Sequence, residues 1–389
     1  MRIASKYGII LFLVLFVLIL SILRFVNKDS NHSSSINHEM ILGKAINKYS
    51  SPDCLHTIVS PHIYEKIVED KNIIYSADFQ SAWDEFKRIN GGIINMTYPT
   101  THTLYLNSSQ NILKNSKFSY SSAGILTKDT SDRIQKDLQR MFDNQASPDL
   151  LPADLPMGSL YTYSYLFAHL RFKHEFEKMD APLEFNGKKV RAFGIKKYDS
   201  SNKKMRLAAD QISYCELNIK KNTNDHDFSQ FHESNSNYIV KIDMDHSESQ
   251  LILAEIEPQE DLYKTVIYTL SEMKNQKFFK MYDKDSLIIP DFSFDLFWNY
   301  DYLCFNPVIS SNEKINGQYF EFAKHYIKFR LNEKGVILKA ESQAFSSIPI
   351  NLIFDKPFLL MMIEEKSELP YFAMWVANPE LMVPWDDAE

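Results

Sequence analysis
The chain has 389 residues, is 44% hydrophobic and 13% aromatic, and carries a formal net charge of −7. That composition supports a sizeable core and excludes a basic phosphate-binding face, so no nucleic-acid partner is expected. Three cysteines, Cys54, Cys215 and Cys304, exclude a disulfide scaffold and are expected to be buried thiols.

In chain order, Tyr7 to Leu23 is an uncharged apolar run flanked by Arg2, Lys6, Arg24 and Lys28. At 1.5 Å per residue it spans roughly 26 Å of helix, and no small-x-small cleavage site follows it. The expectation is an uncleaved membrane anchor over residues 1–26, with secretion the outcome if the segment is cleaved. A Ser/Asn-rich flexible stalk over 27–38 and a single domain over 39–389 outside the cytoplasm then follow. Asn31, Asn95 and Asn107 start glycosylation sequons that decide nothing.

Met40 to Tyr49 and Ser81 to Ile89 are predicted as short amphipathic helices, the second with Trp83, Phe86 and Ile89 on one face. Thr101 to Leu106 alternates like a half-buried strand. Ser131 is expected to cap a helix with Ile134, Leu138, Met141 and Phe142 in line. Tyr161 to Phe172 reads as a strand covered on both faces. Tyr238 to Met244 is predicted as a strand and Gln259 to Met273 as a helix. Near the C-terminus, Phe358 to Ile363 and Tyr371 to Ala377 are apolar runs too short for helices, joined by a charged turn, and predict a buried hairpin. Leu331 to Ile353 is expected to be a long exposed loop between strands.

No catalytic constellation emerges: there is no Gly-x-Ser-x-Gly, no phosphate loop and no marked nucleophile. His169 and His174 are five apart, which does not match the i, i+4 spacing of zinc helices. His226, His232, Asp243, Asp245 and His246 read as loop solvation. No catalytic residue, metal or cofactor is therefore expected.

The C-terminal order of motifs resembles the serpin family. Phe354, Pro357 and Phe358, then Phe372, Met374, Val376, Asn378 and Pro379, match its two closing strands, with Trp375 where that family has glycine. Upstream, Glu333-Lys334-Gly335 looks like its loop hinge, and His325 stands at its buried shutter histidine. Asp285 to Phe294, with Pro290-Asp291-Phe292, is similar to its Pro-Lys-Phe strand, and Tyr214-Cys215-Glu216-Leu217 to its Leu-Pro-Tyr strand. Tyr161 to Phe176 resembles a central-sheet segment and keeps Phe172-Lys173, but departs at Ala168 and Phe176, where asparagine and tryptophan are expected. Ser131 to Asn144 with Pro148 to Pro152 looks like the helix crossing the main sheet, and Asn72 to Phe79 like the first strand and helix.

What the resemblance implies is an α+β, serpin-like fold with a large mixed central sheet, smaller sheets, eight to nine helices and a reactive-centre loop near the C-terminus. It implies an inhibitor of an extracytoplasmic serine or cysteine endopeptidase, acting by loop cleavage and insertion. The alternative is a non-inhibitory member that binds a partner at the cell envelope. Insertion would send Val336, Leu338, Ala340 and Ser342 into the sheet, and Ile337, Lys339, Glu341 and Gln343 outward. Val336 and Leu338 are bulkier than the small residues the family favours. Counting by the family's spacing from Glu333 puts the bait residue at Pro349, beside Ile350; counting back from Phe354 puts it at Ser346, beside Ser347. The loop is thus about three residues short.

Overall fold
In the computed structural model the described residues are 47–50, 53–109, 119–142, 156–169, 171–217, 237–245, 249–334, 349–364 and 367–385. The apolar N-terminal run, the stalk, and His226, His232 and His246 lie outside them. None of the described helices is long and apolar enough to cross a membrane. Strands β1 (Asn47–Ser50), β2 (Thr57–Ser60) and β3 (Asn72–Ser76) precede helix Ala77–Asn90, β4 (Asn95–Met96) and helix Thr101–Ser108. Then come β5 (Ser119–Ile125), helix Thr130–Met141 and β6 (Leu160–His169). β7 (Glu177–Lys178), β8 (Leu183–Phe185), β9 (Lys188–Val190) and β10 (Ala192–Ile195) lead to helix Lys203–Asp210, β11 (Ile212–Glu216), β12 (Tyr238–Asp243), β13 (Ser249–Glu255) and helix Leu262–Asn275. The last strands are β14 (Ser286–Pro290), β15 (Phe292–Asn299), β16 (Val308–Ile309), β17 (Phe320–Leu331), β18 (Asn351–Ile353), β19 (Phe358–Glu364) and β20 (Phe372–Val376).

These form an α+β architecture of three main sheets, ordered β1-β15-β17-β6-β5, β18-β14-β10-β7 and β11-β12-β13-β19-β20-β3-β2. The predicted hairpin is present: β19 and β20 pair antiparallel from Phe358↔Val376 to Met362↔Phe372. It is wholly apolar because it sits mid-sheet, between β13 and β3, with side chains buried on both faces. β6 is likewise buried along Leu160 to Leu166. Helix Ala77–Asn90 buries Phe79, Trp83 and Phe86 against Leu160, Tyr300 and Phe320, and stops at Gly91, whose φ of 83° is left-handed.

Several expectations are corrected. Thr101–Ser108 is a helix, because Thr100 and Thr103 form a reciprocal capping box that satisfies two otherwise unpaired amide groups and outweighs the alternating pattern. Asn47–Ser50 is a strand lying parallel to β15, where short-chain helix formation loses to an available sheet edge; residues 40–46 are outside the described set. The 130–141 helix starts one residue before Ser131, with Asp129 at its N-cap position, and Met141 points outward. Asp285 to Phe294 is not one strand: β14 ends at Pro290 and β15 begins at Phe292 in a different sheet. The far end of the expected loop is also ordered, since Asn351–Ile353 pairs parallel with Ser286–Ile288. All three thiols are free, but Cys54 is only partly buried. Burial raises each thiol pKa, Cys215 to about 11 and Cys304 to about 12, which keeps them protonated and unreactive.

One glycine is required by close backbone approach. Gly194 in β10 has φ +148°, and a Cβ there would lie 1.9 Å from the Leu287 carbonyl oxygen across the β10–β14 ladder. Gly194→Ala is expected to part those strands and cost about 3 kcal/mol or more, read as a lowered urea midpoint with an unchanged m-value.

Candidate functional site
The centre of the five-stranded sheet is a parallel pair. β17 runs beside β6 from Phe320↔Leu160 to Arg330↔His169, while their outer neighbours β15 and β5 are antiparallel to them. On one face aromatic rings bridge the two strands: Tyr161 on Phe322 at 5.7 Å and Tyr163 on Tyr326 at 5.6 Å between centroids. Helix Thr130–Met141 closes this face through Ile134, Leu138 and Phe142, and Arg133 donates to the Tyr161 hydroxyl.

On the opposite face His325 is fully buried. Its Nδ1 lies 2.9 Å from the Tyr300 hydroxyl and its Nε2 3.1 Å from Oδ1 of Asp78, at the start of helix Ala77–Asn90. Asp78 also receives the Ser76 hydroxyl. The imidazole thus ties β17 to the helix beneath it and to the 300–303 turn. Burial raises the Tyr300 phenol well above its ordinary pKa, so it stays a hydrogen-bond donor.

Beyond Leu331 the chain leaves the sheet under restraint. Glu333 O accepts from Phe176 N at 2.9 Å, and Lys334 O from Phe172 N at 3.4 Å. Phe176, at the position where tryptophan was expected, is buried edge-on against Phe172 at 4.8 Å. Glu333 lies 3.7 Å from Lys178 Nζ. Buried Asp291 stands close by, and Oδ1 of its carboxyl has no hydrogen-bond partner among the described residues. Burial, followed by the Glu333 charge, pushes its pKa up to about 7.

Gly335, Val336, Leu338, Ala340, Ser342, Ser346 and Ser347 lie outside the described residues. Pro349 is exposed. Ile350 is not free: its N–H donates to Asp285 Oδ1 at 2.9 Å and its carbonyl accepts from Ser286 N at 2.9 Å. Ala168, the other departure, stands opposite Phe329 in the β6–β17 register.

Sequence reading gave no role to Asp78 or Tyr300, and saw Asp291 only as part of the Pro290-Asp291-Phe292 motif. Asp78 follows Ser76 in the first turn of a helix and reads as an ordinary dipole-stabilising acid. The only hint was its place inside the apolar stretch Ile73 to Phe79. The C-terminal Asn378 has a plain structural task. Its Oδ1 accepts from Asn72 Nδ2, and its Nδ2 donates to the His56 and Asp70 carbonyls, at 2.9–3.1 Å.

No family model matches the sequence, and no curated protein does. Similar solved structures include a thyroxine-binding globulin in complex with thyroxine, at 12% identity and TM-score 0.49, covering 79% of this chain and 93% of that one. Native protease nexin-1 with heparin is similar at 12% identity and TM-score 0.43, covering 67% and 77%. A tumour suppressing serpin is similar at 13% and 0.40, covering 65% of each chain.

Two substitutions test the buried charges with opposite signs. Asp78→Ala leaves His325 without its carboxylate partner and is expected to destabilise by about 3 kcal/mol in equilibrium unfolding. Asp291 has a folded pKa near 7 against an ordinary 3.8, so its contribution is fully present at low pH and lost as pH rises through about 7. Asp291→Asn is therefore expected to raise stability at about pH 8 and to leave it nearly unchanged at about pH 4, as read by urea midpoints.

Proposed function
We propose that this chain is a serpin-type inhibitor of a serine or cysteine endopeptidase, with residues 335–350 as bait and the β17–β6 pair as the place of insertion. The carrying observation is the parallel pair itself. A chain that turns back after β17 runs antiparallel to it, and because β6 is parallel to β17, the same returning strand is antiparallel to β6 as well. Every backbone group of such a strand then finds a partner on both sides, in the more stable antiparallel pattern, in place of one slanted parallel ladder.

The far end of the bait is held in another sheet, where β18 pairs with β14. Both ends are thus fixed in the intact chain, and scission between them releases the first part to enter while residues from 349 onward keep their place. Entry breaks the Phe176–Glu333 and Phe172–Lys334 hydrogen bonds first. The pinned Ile350 backbone supports Ser346–Ser347 as the bait bond over Pro349–Ile350, since a protease needs its substrate extended and unpaired. The target's own nucleophile forms the acyl bond in this reading, and the chain supplies no catalytic residue and uses no cofactor. The apolar run Tyr7 to Leu23 anchors the domain on the outer side of a membrane, where it meets an extracytoplasmic protease.

A non-inhibitory role as a partner-binding member of the fold is favoured by two specific features: bulky Val336 and Leu338 at inward positions, and a loop about three residues short.

Nicking the loop between Val336 and Ile353 with a non-target protease separates the two readings. A large rise in melting temperature is expected if the loop enters the sheet; an unchanged value overturns insertion. Val336→Arg, which puts a charge at the first inward position, is expected to abolish both that rise and the formation of a denaturant-stable complex with the target protease.

A further inference from the structure
Away from the β17–β6 seam, two histidines forty positions apart in sequence meet. His62 follows β2 in the turn after Pro61, and His102 is the second residue of helix Thr101–Ser108. His62 Nε2 lies 2.8 Å from His102 Nδ1, and a carboxylate oxygen of Glu65 lies within 4.8 Å of a ring nitrogen of each histidine. Three tyrosines enclose the pair. Tyr105 packs on His62 at 4.7 Å, Tyr64 stacks on Tyr105 at 5.0 Å, and Tyr302 stacks on His102 at 4.3 Å. These rings fix the orientation of both imidazoles, and His62 itself is buried while His102 stays partly exposed. Glu65 is oriented in turn: its Oε2 lies 3.0 Å from the Ser60 hydroxyl, and its backbone carbonyl accepts from Leu262 N at 2.9 Å.

We propose that His62 Nε2, His102 Nδ1 and the Glu65 carboxylate form a binding site for one divalent transition cation of the zinc class, with solvent in the fourth position. Two imidazoles and one carboxylate are a donor set suited to Zn²⁺, Co²⁺, Ni²⁺ and Cu²⁺ rather than to Mg²⁺ or Ca²⁺. The two nitrogens share a proton, one ring donating to the other, which occupies the lone pairs a cation would use. Tetrahedral ligation with bonds near 2.05 Å sets the nitrogens about 3.3 Å apart, so they must part by about half an ångström from their present 2.8 Å, and each ring must tilt so that its lone pair, now aimed at the other nitrogen, converges on the ion. The donor ring's proton moves to its far nitrogen, and both imidazoles remain neutral ligands. His62 Nδ1 then faces the Ser60 hydroxyl at 3.5 Å, an outer contact that holds the ring in the ligating tautomer. Glu65 and His102 are partly exposed, which leaves an entry path.

The test uses the full-length protein without a polyhistidine tag, stripped with chelator. Zinc chloride is titrated calorimetrically, and cobalt(II) binding is followed by its visible absorption. One bound ion per chain is expected, with affinity weakened at least about tenfold in His102→Gln and in Glu65→Gln, and unchanged in His56→Gln, whose histidine pairs with Asp70 and is not part of the cluster. Zinc should also raise the melting temperature of the unaltered protein and of His56→Gln but not of Glu65→Gln, which keeps the two imidazoles and their hydrogen bond intact. Absence of stoichiometric binding, or binding that Glu65→Gln and His102→Gln leave untouched, overturns the site and leaves the pair a caged His–His hydrogen bond.

Discussion
The parallel contact between β17 and β6 is the constraint around which the five-stranded sheet is arranged. Two long strands far apart in sequence, β6 (Leu160–His169) and β17 (Phe320–Leu331), lie side by side with slanted hydrogen bonds, the less stable of the two pairing patterns. What keeps them together is packing on both faces. Tyrosine and phenylalanine rings reach across above, under helix Thr130–Met141, and the His325–Asp78–Tyr300 group holds below. The lower attachment is polar and buried, so it specifies one arrangement: any shift of β17 leaves a charge or a hydroxyl without its partner. The upper attachment is mainly ring packing, with one polar tie from Arg133 to the Tyr161 hydroxyl.

Legibility of the chain followed burial. Strands covered on both faces, β6, β19 and β20, announced themselves as apolar runs, and the helix over 77–90 showed its Trp83–Phe86 stripe. Boundaries set by local hydrogen bonds did not show. Thr101–Ser108 alternates like a strand, and only the Thr100–Thr103 exchange makes it helical. The break at Asp291 went unread although Pro290 and Asp291 are both poor strand residues, because the motif resembles one continuous strand. Pairings between distant residues were invisible in principle: His325 and Asp78 are 247 positions apart, and His62 and His102 become neighbours only because β2 and the 101–108 helix meet. Spacing rules find ligands on one helix or one turn, not ligands that the fold assembles from two.

Polar clamps also explain a motif that looked merely conventional. The Asn378-Pro379 pair ends the last strand, and the Asn378 side chain ties that end to the start of β3. Glu380 then accepts from the Leu55 and His56 amides and the Thr57 hydroxyl at 2.6–3.1 Å. Asn72 completes the knot by accepting from the Ala377 and Asn378 amides. An asparagine offers both donor and acceptor at one place, which a carboxylate does not.

The position of β19 and β20 also fixes the order in which the seven-stranded sheet can be assembled. The first strands to leave the ribosome, β2 and β3, and the middle ones, β11 to β13, have no contact with each other inside that sheet; the last hairpin of the chain is inserted between them. Until residues 358–376 emerge, β3 and β13 each present an unpaired edge of buried apolar residues. Such edges are what recruits other chains during synthesis. Closure of this sheet therefore waits for residues 358–376, and until they pair, β3 and β13 lack their neighbours in it.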